Sequence, residues 1–401
     1  MIRYIIILLS MLGSSQLSWT QTLDDYFTIA AENNAGLQAS YKAYEAALQQ
    51  VPQVSSLSDP QLSLGFYISP SGDQVIQENL KLTLTQMFPW FGTLKAQGDA
   101  AALSAEAKFH EFINKRNHLY YQVTSAYHPL LELDHLIQVE KENIDLLSRF
   151  KSIATKKFEN GESSMVDILR TEILLKEAET NRQILIEKKK PLLSQFNQLL
   201  NREKDEEVVL PKSLNLDKRE NAIRQDSLIN NHPLLESLTL QVKASKASEK
   251  AAQKRGLPQI GVGVEYEILK NQDDMIMPML TVSIPIFRKK YRGAVKEAQL
   301  MQESYSFQKQ EVASSLHSTY EMVWFEIQEQ KQLLSLYINQ EAEAERSLNL
   351  LFSAYANSGQ AFEEVLRMQQ QLLSYQKMKI EASTQYDILS AELDYLIAKT
   401  R

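Results

Sequence analysis

Two stretches of sequence decide the fold: SDPQLSLGFY at residues 58–67 and GLPQIGVGVEY at residues 256–266. Each contains Pro-Gln, and in each the following apolar residues alternate with polar or small ones. An alternation with a period of two is typical of a β-strand with one apolar and one polar face. Because the two Pro-Gln pairs stand about 198 positions apart, the chain is predicted to contain the same structural unit twice.

Further matches keep nearly the same spacing along the chain. With only 12 Gly and 11 Pro in 401 residues, most of the sequence favours long helices. Each unit is therefore predicted to contain a helix, two strands, a very long helix and a return helix. The matched positions are Pro60 and Pro258, Pro89 and Pro285, Gly161 and Gly359, and Leu169-Arg170 and Leu366-Arg367.

The prediction divides the mature chain into two repeats joined by a polar connector. At 1.5 Å per residue, a helix of about 65 residues is about 100 Å long, which predicts an elongated protein. Apolar residues at three- and four-residue spacing in the second long helix predict coiled helix packing. Repeat one is predicted at 21–200, with strands at about 60–70 and 78–89 and a long helix at about 93–157. The connector is predicted at 201–230. Repeat two is predicted at 231–401, with strands at about 258–268 and 275–286 and a long helix at about 289–355.

The N-terminus has the pattern of a secretory signal peptide. Arg3 precedes the apolar run Ile5–Leu12, and small or polar residues lead to Thr20. The alternative is a buried N-terminal helix. We predict that residues 1–20 are removed and that the chain is exported. No later stretch of 18 apolar residues occurs, so a membrane-embedded part would have to consist of strands.

The composition excludes several classes of function. Without cysteine, the chain has no disulfide, thiolate metal site, Cys nucleophile or lipid-modified N-terminal Cys. The net charge of −7 and the dispersed basic residues argue against nucleic-acid binding. No nucleotide-binding, zinc-protease or nucleophile motif occurs, and the six His have no ligand spacing. We predict no enzyme, no cofactor and no resident metal.

The predicted strands allow two interpretations. Each is about ten residues long, which is enough for a tilted strand to cross a bilayer. Four strands cannot close a barrel with a lumen, so subunits would have to pool them, two giving eight and three giving twelve. The alternative is a pair of soluble hairpins packed on the helices. Met275, Met277 and Met279 lie on one face of the fourth predicted strand. Thioethers can bind Cu(I), but we interpret these side chains as apolar packing.

The duplicated unit resembles the TolC-type outer-membrane efflux family. Two stretches carry the resemblance besides the architecture. One is the segment Phe88-Pro89-Trp90-Phe91-Gly92. The other is an aromatic residue and a glycine followed by an acidic residue, an aliphatic residue and leucine. This second pattern comprises Phe158, Gly161, Asp167, Ile168 and Leu169 in repeat one and Tyr355, Gly359, Glu364, Val365 and Leu366 in repeat two.

The resemblance implies a mainly α fold with a transmembrane β part. It implies a homotrimer with a 12-stranded β-barrel in the outer membrane lipid of a Gram-negative cell and a long periplasmic α-helical barrel. Such proteins are passive exit channels of tripartite efflux or type I secretion systems. Their partners are a periplasmic adaptor and an inner-membrane transporter such as an RND pump. The cargo stays open among metal ions, small drugs and polypeptides, and the alternative function is an exported soluble coiled-coil scaffold without a pore.

The resemblance also implies two sets of site residues. Acidic residues near the inner helical turns ring the periplasmic aperture in this family, and Asp167 and Glu364 match them, each followed by an arginine, Arg170 or Arg367. The alternative is a helix-start acid that pairs with the arginine three residues later. Gly161 and Gly359 mark the hairpin tips, where the adaptor is expected to dock.

Overall fold

The structure, a computed structural model, describes residues 22–66, 80–211, 226–269, 273–358 and 361–399. The predicted signal peptide, Gly359, the outer ends of the first two predicted strands and residues 212–225 of the predicted connector lie outside these residues. The described chain is mainly helical with a small strand portion, as the sequence predicts.

The order of a helical segment, two strands, a very long helix and a return helix occurs twice, which confirms the predicted duplicated unit. One difference is that the first predicted helix is divided at Asn34, whose backbone is extended and whose side-chain amide donates to the Leu199 carbonyl oxygen at 2.9 Å. The elements are α1 Leu23–Asn33, α2 Ala35–Ser55, β1 Gln61–Phe66, β2 Leu80–Phe88, α3 Thr93–Glu159, α4 Met165–Leu200, a 3-10 helix Asp226–Asn231, α5 Pro233–Arg255, β3 Gln259–Ile268, β4 Met275–Ser283, α6 Lys289–Ser358 and α7 Phe362–Leu396.

The chain forms two compact units, each of which takes parts of both repeats. The first unit contains the residues up to Ala35, His118–Ile223 and Met322–Tyr395. Its described part is helical, with an apolar core in which the rings of Phe150 and Phe352 stack at 4.7 Å. The predicted seam of α6 is largely buried, at Leu316, Val323, Ile327, Leu334, Ala344, Leu348 and Tyr355.

The second unit contains Gly36–Asn117, Arg224–Glu321 and the residues from Leu396 onward, and it holds the sheet. The strands follow the order β1-β2-β3-β4, and every neighbouring pair is antiparallel. The β2–β3 pair joins the hairpin of one repeat to the hairpin of the other. The sheet is therefore one structure made from both halves of the chain.

Prolines limit the strands, as their positions in the sequence indicate. Pro89 and Pro258 lie just outside β2 and β3. The fourth strand ends at Ser283, earlier than the predicted residue 286, because the Ile286 amide donates to the Ile284 carbonyl oxygen at 3.0 Å across Pro285 in a tight turn. Pro278 lies inside β4, which is an edge strand of this sheet, and edge strands tolerate proline.

Candidate functional site

One face of the sheet is apolar and exposed. The register places Leu62 opposite Leu84, Leu82 opposite Tyr266 and Val262 opposite Leu280. Leu280 and Ile276 are 74% and 70% exposed. A contiguous apolar surface of this kind marks contact with another protein or with a membrane. Gln86 interrupts this face, whose apolar members are Leu62, Leu64, Leu80, Leu82, Leu84, Phe88, Ile260, Val262, Val264, Tyr266, Ile268, Ile276, Pro278, Leu280 and Val282.

The opposite face of the sheet is polar and carries a buried carboxylate. Glu265 forms an ion pair with Lys81 at 2.5 Å and accepts a hydrogen bond from the Thr83 hydroxyl at 3.4 Å. The Glu265 side chain is nearly inaccessible, whereas that of Lys81 is about one third exposed. The charged pair crosses from β2 to β3, so it ties the two repeats together on this face.

Two glycines on the polar face make room for methionine side chains. The Met87 thioether covers Gly261, and the Met279 methyl group lies over Gly263. A Cβ atom at Gly263 would also come within 2.9 Å of the Leu84 carbonyl oxygen, so a side chain there would displace backbone. The contact made by Met279 agrees with the packing interpretation of the strand methionines.

The first hairpin tip depends on Gly161. Its φ of +75° is in the left-handed region, and its amide donates to the Phe158 carbonyl oxygen at 2.9 Å, which ends α3. No atom would lie within 4 Å of an added Cβ, so the requirement is conformational rather than steric. The Ser164 hydroxyl then caps α4 by accepting from the Val166 amide at 3.2 Å. Gly359, at the matching position, lies outside the described residues.

The four predicted charged residues lie at the starts of the two return helices, and their pairing differs between the copies. Glu364 pairs with Arg367 within the first turns of α7, as the three-residue spacing predicts. In repeat one, Arg170 instead pairs with Glu363 of α7, at 3.0 Å between Nη1 and Oε2. Sequence reasoning missed Glu363. The available signal was the pair of consecutive acids at the start of α7.

Asp167 lies close to a buried tyrosine rather than in an ion pair with Arg170. Burial raises the pKa of Tyr355, and the charge of Asp167 raises it further, while the nearby Ser163 hydroxyl acts in the opposite direction. The Tyr355 ring packs on Phe362 at 4.6 Å, and Lys157 Nζ lies 5.2 Å from its centroid. The end of α3, the start of α4 and the end of α6 therefore meet around one aromatic side chain.

A second polar cluster lies inside the helical unit and was also missed. Glu140 of α3 is fully buried and accepts hydrogen bonds from Lys377 of α7 and, at 3.3 Å, from Asn143. The amide of Gln369 donates to the Asn143 side-chain oxygen. A charged residue in a long polar helix usually lies in solvent, so nothing in the local sequence indicates burial.

The helices that the structure describes include none with both the length and the apolar character needed to cross a membrane. In the same part of the chain, no group of three or more His, Asp or Glu side chains is arranged to hold a metal ion.

Comparison with known proteins gives one family match and several structural matches. The family model described as outer membrane efflux protein matches residues 225–399. No curated protein sequence matches the chain. Three similar solved structures show the fold, and each match covers 94% of this chain. CusC, described by its transmembrane channel formation, has 15% identity and a TM-score of 0.82, with 91% of that chain covered. The outer membrane protein VceC of Vibrio cholerae has 14% identity, a TM-score of 0.77 and 95% of that chain covered, and the open state of the outer membrane channel MtrE of Neisseria gonorrhoeae has 15% identity, a TM-score of 0.78 and 88% covered.

Both kinds of similarity agree with the duplicated architecture. The family model lies on the second repeat, and the structural similarity covers 94% of the chain. Members of this family are channel proteins and not enzymes. The chain is similar to the outer membrane efflux protein family over residues 225–399, and its fold is that of outer membrane channel proteins.

Proposed function

We propose that the chain is one subunit of a trimeric outer-membrane exit channel. It provides a passive conduit from the periplasm to the exterior for a tripartite efflux or type I secretion system. The observation that carries this proposal is the two-faced sheet, with an exposed apolar face for lipid and a polar face, bearing Lys81 and Glu265, for a water-filled lumen.

The edges of the sheet support assembly with other copies. β1 and β4 each have one side without a partner strand in the described chain. Unpaired backbone groups are not tolerated in lipid, so a membrane-embedded sheet must close on itself through neighbouring subunits. Three chains of four strands supply twelve, which leaves room for a lumen.

We also propose that Asp167 and Glu364 line the closed periplasmic end. They begin the two return helices at matching positions, and a threefold axis would bring three copies of each carboxylate together. Rings of carboxylates attract cations and set selectivity in channels. The Arg170–Glu363 pair joins α4 to α7 at the same level, so it supports the closed arrangement.

The proposed partners follow from the two ends of the channel. A periplasmic adaptor docks at the hairpin tips around Gly161 and Gly359, and an inner-membrane transporter such as an RND pump drives the cargo. The left-handed turn at Gly161 supports this assignment because it presents the exposed residues Glu159, Asn160 and Glu162 at the end of a rigid hairpin.

Membrane fractionation followed by conductance measurement tests the proposal. The full-length chain, expressed in a Gram-negative host, should remain in the outer-membrane fraction after osmotic release and require detergent for extraction. Cross-linking should give a trimer, and the purified trimer should conduct ions in planar bilayers. Release in soluble form without conductance would instead support the coiled-coil scaffold.

A further inference from the structure

The boundary between the sheet and the helices carries an exposed apolar and basic surface, here named the boundary patch. Phe91 and Phe287 are 81% and 85% exposed, far more than aromatic side chains of a soluble surface usually are. Four of the five residues that follow Phe287 are basic. The boundary patch consists of Trp90, Phe91, Ile284, Ile286, Phe287, Arg288, Lys289, Lys290 and Arg292.

Contacts at the end of α5 hold the parts of the boundary patch together. Lys254 Nζ, near the end of α5, donates to the Phe91 carbonyl oxygen at 2.9 Å. A Cβ atom at Gly256 would lie 3.5 Å from the Tyr291 ring, so the end of α5 also rests against the start of α6. The segments after β2 and after β4 thus meet at the end of α5, level with the strand ends.

The apolar part of the boundary patch directly follows, along the chain, the ends of two strands that carry the apolar face of the sheet. Phe88 at the end of β2 is paired with Ile260, which is paired with Val282 near the end of β4. All three belong to the apolar face. Trp90 and Ile284 follow two residues after Phe88 and Val282. Since aromatic residues are enriched where a membrane meets water, this position is the expected one for a membrane interface.

The basic side chains of the boundary patch are not explained by folding. Residues 284–296 contain five Lys or Arg and no Asp or Glu. Cations at the start of a helix oppose its dipole, so their presence costs stability in α6. Within the described part of the chain, Arg288, Lys289 and Arg292 form no ion pair with a carboxylate. Their charge therefore stays available to an external anion.

We propose that the boundary patch binds the headgroups of anionic phospholipids in the leaflet next to the helices. The proposal rests on the proposed function, because it requires the apolar face of the sheet to lie in the membrane. Trp90, Phe91 and Phe287 would enter the interface between headgroups and acyl chains, and Arg288, Lys289 and Lys290 would contact lipid phosphates.

A charge-matched pair of variants tests this inference. Arg288→Gln, Lys289→Gln and Lys290→Gln together remove three cations from the boundary patch. Lys188→Gln, Lys189→Gln and Lys190→Gln remove three consecutive exposed cations from α4. The purified oligomers, in a neutral detergent, are titrated with phosphatidylglycerol or phosphatidylcholine, and bound lipids are counted by native mass spectrometry.

The wild type and the α4 variant should bind phosphatidylglycerol at least tenfold more tightly than phosphatidylcholine, and the boundary variant should lose this preference. One basic side chain near an anionic surface contributes roughly fivefold in affinity, so three contribute up to about a hundredfold before screening by salt. The charge-retaining variant Arg288→Lys, Lys289→Arg and Lys290→Arg should bind like the wild type, which separates loss of charge from loss of folding.

Two results would overturn the inference: equal binding by the boundary and α4 variants, or no preference of the wild type for phosphatidylglycerol. Both leave the channel proposal intact provided that the wild type inserts into phosphatidylcholine bilayers and conducts. A wild type that inserts into neither lipid would contradict the channel proposal itself.

Discussion

Arg170 and Glu363 join the return helices of the two repeats, with 3.0 Å between Nη1 of the arginine and Oε2 of the glutamate. The corresponding arginine of repeat two, Arg367, pairs with Glu364 inside its own helix. Both pairs are substantially exposed, so each contributes at most about 1 kcal/mol to stability. Their difference is one of geometry, because only the first restrains α4 relative to α7.

Arg170→Ala should therefore raise the single-channel conductance of the closed channel. Removing the arginine deletes this link between α4 and α7 in each subunit of the proposed trimer, whereas Arg367→Ala leaves it in place. Planar-bilayer recordings of both variants measure the effect, with Arg367→Ala as the matched control. Equal conductance of the two variants would show that the link between α4 and α7 does not hold the channel closed.

Asp167→Asn combined with Glu364→Gln should weaken cation selectivity without changing folding. The two amides preserve side-chain shape and remove up to six negative charges from a proposed trimeric constriction. Reversal potentials in a salt gradient measure selectivity, and titration with a trivalent cation measures block. If this variant keeps the selectivity and the block of the wild type, the two carboxylates stabilise the starts of α4 and α7 and do not line the constriction.

An arginine on the apolar face of the sheet should prevent assembly, whereas one on the polar face should not. Leu82→Arg places a cation in lipid at a cost of roughly 2–4 kcal/mol per subunit, and Val262→Arg should behave alike. Thr83→Arg is the control, because residue 83 is directly opposite Glu265 on the other face. The measurement is the trimer yield in outer membranes. Equal yields for Leu82→Arg and Thr83→Arg would contradict the assignment of the apolar face to lipid and the polar face to the lumen.

His232→Asn should make the protein less sensitive to acid. His232 is fully buried, caps α5 by accepting from the Leu234 amide at 3.3 Å, and burial lowers its pKa to about 4. Between pH 6.5 and about 4 the unfolded chain binds a proton at this position and the folded chain does not, so stability falls with falling pH, by about 3 kcal/mol at most.

Asparagine keeps the cap and does not titrate, so the drop in Tm between pH 7 and pH 4.5 should be smaller in His232→Asn than in the wild type. His317→Asn, which replaces an exposed histidine, serves as the control. An unchanged pH dependence of Tm in His232→Asn would assign the acid sensitivity to other groups.

Lys377→Met should destabilise the helical unit by about 3 kcal/mol, because it leaves the buried Glu140 carboxylate without its cation. Replacing both partners, as in Glu140→Leu with Lys377→Met, should restore most of the loss, since the pair itself adds little over apolar packing. Thermal unfolding of the single and double variants measures the difference. Lys42→Met, from an exposed pair, should change Tm very little.

The sequence predicts most of the fold because its signals are local. Alternation of apolar and polar residues predicts the strands and their two faces, and prolines mark the strand ends. Apolar residues at three- and four-residue spacing predict the buried seam of α6. The Arg170–Glu363 and Glu140–Lys377 pairs were not predictable in this way, since their partners stand 193 and 237 residues apart. Pairing over such distances depends on which helices pack together. Residue types within one helix do not specify it.

In the described sheet, two strand edges without a partner strand create a hazard for a chain that has not yet assembled. Until other copies arrive, β1 and β4 present unpaired backbone groups beside an apolar face, the combination that promotes aggregation of strands. Pro278 offers protection on one side only, because it lacks an amide hydrogen for a wrong partner. In the proposed trimer, assembly requires two further copies and therefore depends on concentration. Overproduction would favour both correct assembly and misassembly, and the β1 edge would be the first place where chains aggregate.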